Sequence, residues 1–216
     1  MDPKIYQENI DFWDRAWKPV KTPYTQMPDL PYIEKVPYRL NAANCQQVLD
    51  LGCGSGWLSI FLGRAGINVL GVDIADQAIN LARAWAEQED LVHVKFEVGD
   101  ISSMNYKPGS FDAVVANSIF EHLPHEMADR TLSDLYKILK PGGLLFACFD
   151  KVGGGPGEYY ELEDGTHVYT DKGRKGMLLR YFSDDELREL LDDWVIESFD
   201  TIESGSRIVW ASTREG

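Results

Sequence analysis

Val48-Leu49-Asp50-Leu51-Gly52-Cys53-Gly54-Ser55-Gly56 decides how this chain folds. Val48 to Leu51 reads as a buried strand, and it runs into a turn with glycine at every second position. Without side chains there, a ligand's atoms can approach the backbone closely. Trp57 to Ala65 follows with helical character and is stopped by Gly66. A dinucleotide fingerprint would place its third glycine three residues after the second, where this chain has Trp57. Asp50 sets a negative charge beside the turn, which suits a cationic ligand and repels a phosphate.

Working outward, apolar strands alternate with amphipathic helices, the pattern of a parallel sheet wrapped by helices. The second strand is Asn68 to Val72 and ends at Asp73. Asp76 to Asp90 is a helix with Ala78, Ile79 and Ala82 along one side, and Val92 to Val98 is the third strand, followed by Asp100. Phe111 to Ala116 is the fourth strand, Pro124 to Leu139 a helix, and Lys140-Pro141-Gly142-Gly143 its stop before the fifth strand, Leu144 to Phe149. Ser183 and Glu186 form a capping box that opens a helix to Leu191, and Val195 to Ile202 with Ser206 to Ser212 closes the sheet as an antiparallel pair. The expected α/β fold therefore has a mostly parallel sheet of seven strands, with helices on both faces and an antiparallel strand at the C-terminus. Asp50, Asp73 and Asp100 stand at three adjacent strand ends and face one crevice, because open parallel sheets bind ligands at their carboxyl edge.

These residues resemble the class I S-adenosylmethionine-dependent methyltransferases over about residues 47 to 150, and the small-molecule, ubiquinone-biosynthesis-like type in particular. The resemblance implies a Rossmann-like fold with S-adenosylmethionine as cofactor and S-adenosylhomocysteine as product. It places Asp50 and the Gly52 backbone near the methionine amino group, with Cys53, Gly54 and Gly56 completing the turn. It puts Asp73 on the ribose, Ile74 on the adenine face, Asp100 on the adenine amino group and the Ile101 amide on a ring nitrogen. Asn117 and the adjacent Ser118 fall under the sulfonium end. His122, in Asn117-Ser118-Ile119-Phe120-Glu121-His122, is the first choice of general base, since an imidazole titrates near neutral pH. Cofactor packing is its competing role.

Bulk properties narrow the class. Against 35 Asp and Glu stand 21 Lys and Arg, a net charge of -14, so the global field repels phosphate backbones and disfavours nucleic acid as partner. Cys45, Cys53 and Cys148 are too few and too dispersed for a disulfide framework or a zinc cluster, and no metal is expected. No apolar run approaches a membrane span and the N-terminus lacks a secretory pattern, so a cytoplasmic location is expected.

The flanks are expected to shape substrate access. Residues 1 to 46 form an aromatic arm broken by Pro3, Pro19, Pro23, Pro28, Pro31 and Pro37, in which no long regular element is expected. Trp13 and Trp17 share a helical face that suits a lid over residues 47 to 216. Residues 151 to 180, with Gly153, Gly154, Gly155, Gly157, Gly165, Gly173 and Gly176, read as a long substrate-side loop carrying His167, Tyr169 and Arg180. The acceptor is a small molecule that the residues do not identify. A nicotinamide-dependent dehydrogenase and a non-catalytic S-adenosylmethionine-binding module in an assembly remain alternatives.

Overall fold

Strands β1 (Gln47–Leu51), β2 (Asn68–Asp73), β3 (Val94–Val98), β4 (Phe111–Asn117) and β5 (Leu139–Phe149) pair in parallel, in the order β3-β2-β1-β4-β5. In this computed structural model, which describes residues 2–23, 25–151 and 157–215, two further strands complete the sheet. They are β9 (Val195–Thr201) and β10 (Arg207–Ser212); β10 runs antiparallel to both β5 and β9, giving seven strands. This is the expected architecture.

Alternation along the strands divides the core in two. Val48, Ala113, Val115 and Phe146 face helices α2 (Lys35–Ala42), α3 (Trp57–Arg64) and α4 (Asp76–Gln88). Leu49, Leu51, Val114, Ala116 and Leu145 face α5 (His125–Ile138) and α6 (Asp184–Leu190). The capping box of α6 forms as its sequence predicts, with Ser183 and Glu186 each satisfying the other's backbone N–H. No described helix is long and apolar enough to cross a membrane.

Three segments depart from the sequence reading. First, the N-terminal arm contains a 15-residue helix, α1 (Pro3–Trp17). Asp2 caps it by accepting from the Lys4 N–H at 2.9 Å, and Pro3 occupies the first turn, where no intrahelical N–H is lost. The next proline is Pro19, beyond its end, so the prolines bracket this helix rather than break it. Pro37 likewise sits in the first turn of α2. Second, β5 begins at Leu139, and Lys140-Pro141-Gly142-Gly143 lies within it at an irregularity of register opposite Phe111 to Ala113. Third, part of the glycine-rich connection is ordered as a small antiparallel sheet, β6 (Tyr159–Glu161), β7 (His167–Tyr169) and β8 (Leu178–Leu179). Gly153, Gly154 and Gly155 lie outside the described residues.

Candidate functional site

Sheet order turns back between β1 and β4, and such switch points open a crevice at the carboxyl ends of the strands. A cavity of about 180 Å³ occupies this place. Gly52 and Gly54 line it from the turn after β1, Asp73 and Ile74 from the end of β2, and Asp100 and Ile101 from the segment after β3. Ser118, Ile119 and His122 complete the floor after β4, while Tyr6, Asn9, Ile10, Trp13 and Trp17 of α1 form the roof.

The turn is shaped by backbone conformations that favour glycine. Gly52 and Gly54 have φ of +66° and +54°, and a Cβ on Gly54 would stand 3.1 Å from Cζ2 of Trp17. Trp17, Gly52 and Gly54 also line a second recess of about 710 Å³ beyond the indole, formed with residues of the 23–29 segment. Ser118 adopts φ +53° without being glycine, a strained conformation of the kind that collects at ligand sites.

Asp73 is only 9% exposed and accepts from the Gly54 N–H and the Ala75 N–H, each at 2.9 Å. Its carboxylate thus braces the glycine turn and still borders the cavity. Burial raises its pKa, against the lowering effect of these amides. Asp100 accepts from the Ser102 N–H at 2.8 Å, the Ser102 hydroxyl at 2.7 Å and the Tyr6 hydroxyl at 2.7 Å, the last of which ties α1 to the sheet edge. Two carboxylates and no Lys or Arg stand among the described lining residues, so the cavity favours a cation and opposes a phosphate.

His122 belongs to a short 3-10 turn, Phe120–His122, and its Nδ1 lies 3.0 Å from the carbonyl oxygen of Leu178. A carbonyl only accepts, so the neutral ring carries its proton on Nδ1 and keeps a lone pair on Nε2. Burial pushes its pKa down, favouring this neutral state. Trp13 packs against the ring at 4.7 Å in an edge-to-face arrangement.

Not all sequence-derived candidates reach the cavity. Asp50 lies beneath the floor, 2% exposed, accepting from the Ser59 hydroxyl at 2.6 Å, and burial raises its pKa to about 7. Cys53 faces the second recess, and Gly56 packs on Ala82 and Phe96. Asn117 accepts from the Tyr32 hydroxyl at 2.8 Å on the far side of Ser118. His167 stacks on Tyr159 at 3.9 Å, Tyr169 is buried beneath the Arg174 guanidinium, and Arg180 pairs with Glu186 at 2.5 Å; none of the three lines the cavity. Tyr6, Asn9, Ile10 and Ile119 line it without having been singled out, although Tyr6, Asn9, Ile10, Trp13 and Trp17 follow the helical spacing i, i+3, i+4, i+7, i+11 that would have revealed them.

Comparison with known proteins agrees with this geometry. A model of the methyltransferase domain matches residues 48–143, from β1 into β5. The ubiquinone biosynthesis O-methyltransferase of Coxiella burnetii is 30% identical over 84% of this chain and 78% of its own length. A 2-heptyl-1-hydroxyquinolin-4(1H)-one methyltransferase of Mycobacteroides abscessus is 28% identical over 65% of this chain and 60% of its own length. Among solved structures, a SAM-dependent methyltransferase of Methanosarcina mazei superposes with a TM-score of 0.65 at 25% identity, covering 79% of this chain and 93% of the other. With the switch-point cavity, the glycine turn and these relatives in agreement, the chain belongs to the class I S-adenosylmethionine-dependent methyltransferases.

Proposed function

We propose that the chain methylates a small molecule at a ring-borne hydroxyl, with S-adenosylmethionine held in the switch-point cavity and His122 taking the acceptor's proton. The observation that carries this is the meeting, in one cavity, of two carboxylates without a balancing cation and a histidine whose Nε2 has no protein partner among the described residues. When bound, the donor supplies an electrophilic methyl on a sulfonium and departs as a neutral thioether.

The chain's own residues supply alignment and dryness. Asp73 and Asp100 would hold the nucleoside hydroxyls and amine, Ile74 and Ile101 its apolar ring faces, and the Gly52 to Gly54 backbone the amino-acid end, with the Asp50 carboxyl beneath. Trp13, Trp17 and Ile10 roof the cavity and keep water out, which is the lid role for α1. The cavity of about 180 Å³ is smaller than the ~300–1,000 Å³ usual for ligand sites, and an outward shift of α1 that joins it to the recess beyond Trp17 would admit the donor. His122 Nε2 accepts the hydroxyl proton as the oxygen gains the methyl group. The hydroxyl acceptor is favoured by the names of the two relatives, one an O-methyltransferase and the other acting on a hydroxyquinolone.

Incubation with methyl-labelled S-adenosylmethionine and a fractionated small-molecule extract tests the reading. Label on a hydroxyl of a ring compound is the expected result, lost in His122→Asn. Label on no small molecule, or a product whose yield is indifferent to His122, overturns it.

A further inference from the structure

The edge of β8 connects the roof helix to His122 through the backbone of one residue, Leu178. Leu178 stands opposite Val168 of β7, but the bonds next to this pair are made by Tyr169, whose N–H donates to the Met177 carbonyl at 3.0 Å and whose carbonyl accepts from the Gly176 N–H at 2.9 Å. In an antiparallel strand both backbone groups of a residue point to the same side. Those of Leu178 therefore point away from β7, along an edge that would be unpaired. Side chains satisfy both. The Leu178 N–H donates to Oδ1 of Asn9 at 3.1 Å, and the Leu178 carbonyl accepts from His122 Nδ1 at 3.0 Å.

Asn9 sits mid-way along α1, 4% exposed, and lines the same cavity as His122. Its orientation is fixed, because an amide NH2 turned toward the Leu178 N–H would set donor against donor. Its Nδ2 has no protein partner among the described residues, while the side chain borders the cavity. Other contacts hold α1 to this sheet: the Arg15 guanidinium donates to the Lys175 carbonyl at 2.5 Å, and Gly176 packs directly on the Glu8 backbone, where a Cβ would stand 2.4 Å from the carbonyl oxygen.

We propose that Asn9 is a positioning residue that couples closure of α1 to the tautomer of His122, through the backbone of Leu178. Resting on the methyl-transfer reading above, the coupling works as follows. With α1 seated, Asn9 holds the Leu178 backbone in place through its N–H, and the carbonyl of the same residue keeps the imidazole proton on Nδ1 and the lone pair on Nε2. When α1 lifts, the Leu178 N–H loses its acceptor, the outward edge keeps only the bond from the Arg180 N–H to the Glu121 carbonyl at 2.7 Å, and His122 shifts toward the Nε2–H form, which cannot accept a proton at that atom. The base is thereby competent only when the roof is closed, which confines proton removal to the dry state of the cavity.

Nitrogen-15 NMR of the histidine-labelled full chain reads this directly. The wild-type protein and Asn9→Asp, which retains a side-chain oxygen for the Leu178 N–H, should show His122 as the Nδ1–H tautomer. Asn9→Ala should move the tautomer ratio about fivefold toward Nε2–H, the effect of losing one ordinary hydrogen bond. An unchanged ratio in a folded Asn9→Ala protein overturns the proposal, as does an Asn9→Asp protein that behaves like Asn9→Ala. If Asn9→Ala does not fold, amide exchange in the wild-type chain decides. The Leu178 N–H should then be as protected as the Tyr169 N–H, and exchange like that of an open strand edge would contradict the coupling. Failure of the methyl-transfer reading is seen separately, as absence of affinity for S-adenosylhomocysteine.

Discussion

Replacing Gly54 by alanine separates the backbone role of the glycine turn from its ligand role, provided Gly66→Ala is measured beside it. Both glycines have positive φ, +54° at Gly54 and +82° at Gly66. Forcing an L-residue into this region costs ~1–2 kcal/mol, so each variant should lose that much stability. For a chain of this length that corresponds to roughly 2–8 °C in Tm. The two differ in what the new methyl group meets. At Gly66 nothing lies within 4 Å, whereas at Gly54 the Cβ is 3.1 Å from Trp17 Cζ2 and stands on the cavity floor. Gly54→Ala should therefore also weaken S-adenosylhomocysteine binding by at least ~tenfold, or about 1.4 kcal/mol, and Gly66→Ala should leave it within a factor of about two. Thermal unfolding followed by circular dichroism gives the first quantity and titration calorimetry the second. Equal affinities in the two variants would refute the placement of the ligand on this turn.

Other substitutions test separate parts of the account. Burial raises the pKa of Asp50 and of Glu121 to about 7, so the native state holds protons that the unfolded chain has released, and both groups subtract stability as pH rises from about 4 to about 7. His122, lowered by burial, acts in the opposite sense below its ordinary pKa, so the informative quantity is a difference between proteins. Asp50→Asn should gain stability relative to wild type between pH 5 and pH 8 by a few kcal/mol in urea unfolding, and a difference independent of pH would contradict the buried carboxyl. His122→Asn keeps a donor for the Leu178 carbonyl and removes Nε2. Donor affinity should stay within about threefold while turnover falls by ~10²–10⁴, and a turnover loss below tenfold would remove His122 as the base. Tyr6→Phe removes the hydroxyl that donates to Asp100 and should make the α1 segment about fivefold more susceptible to limited proteolysis, with no change in the rest of the chain.

The central sheet was legible because its signals are local. Apolar runs of strand length, the glycine turn, and an acid at or near the end of each of the first three strands lie in contiguous stretches. The capping box at Ser183 and Glu186 is equally local, and it forms as read. What escaped depends on position and on distant partners. A count of prolines hid α1, because Pro3 at the first helical position favours a helix that the same residue would break in mid-course. The strands of 159–179 are two or three residues long, too short for alternation to reveal them, and their edge contact to α1 comes from a residue more than a hundred positions away. Of the two residues expected at the sulfonium end, Ser118, with its left-handed backbone, lines the cavity, while Asn117 is turned to the Tyr32 hydroxyl. His122 was chosen for its chemistry and for its place just past the fourth strand. Its partner, the Leu178 carbonyl, could not be foreseen from spacing.

Calorimetric titration of the purified chain with S-adenosylhomocysteine, repeated on Asp73→Ala, addresses the central claim most directly. The account predicts one site per chain in the wild type, and affinity reduced by ~100-fold or more when the carboxylate that braces Gly54 is removed, given the loss of two charge-assisted hydrogen bonds and the ribose contact. No heat with the wild-type chain, or undiminished binding by a folded Asp73→Ala protein, would contradict it.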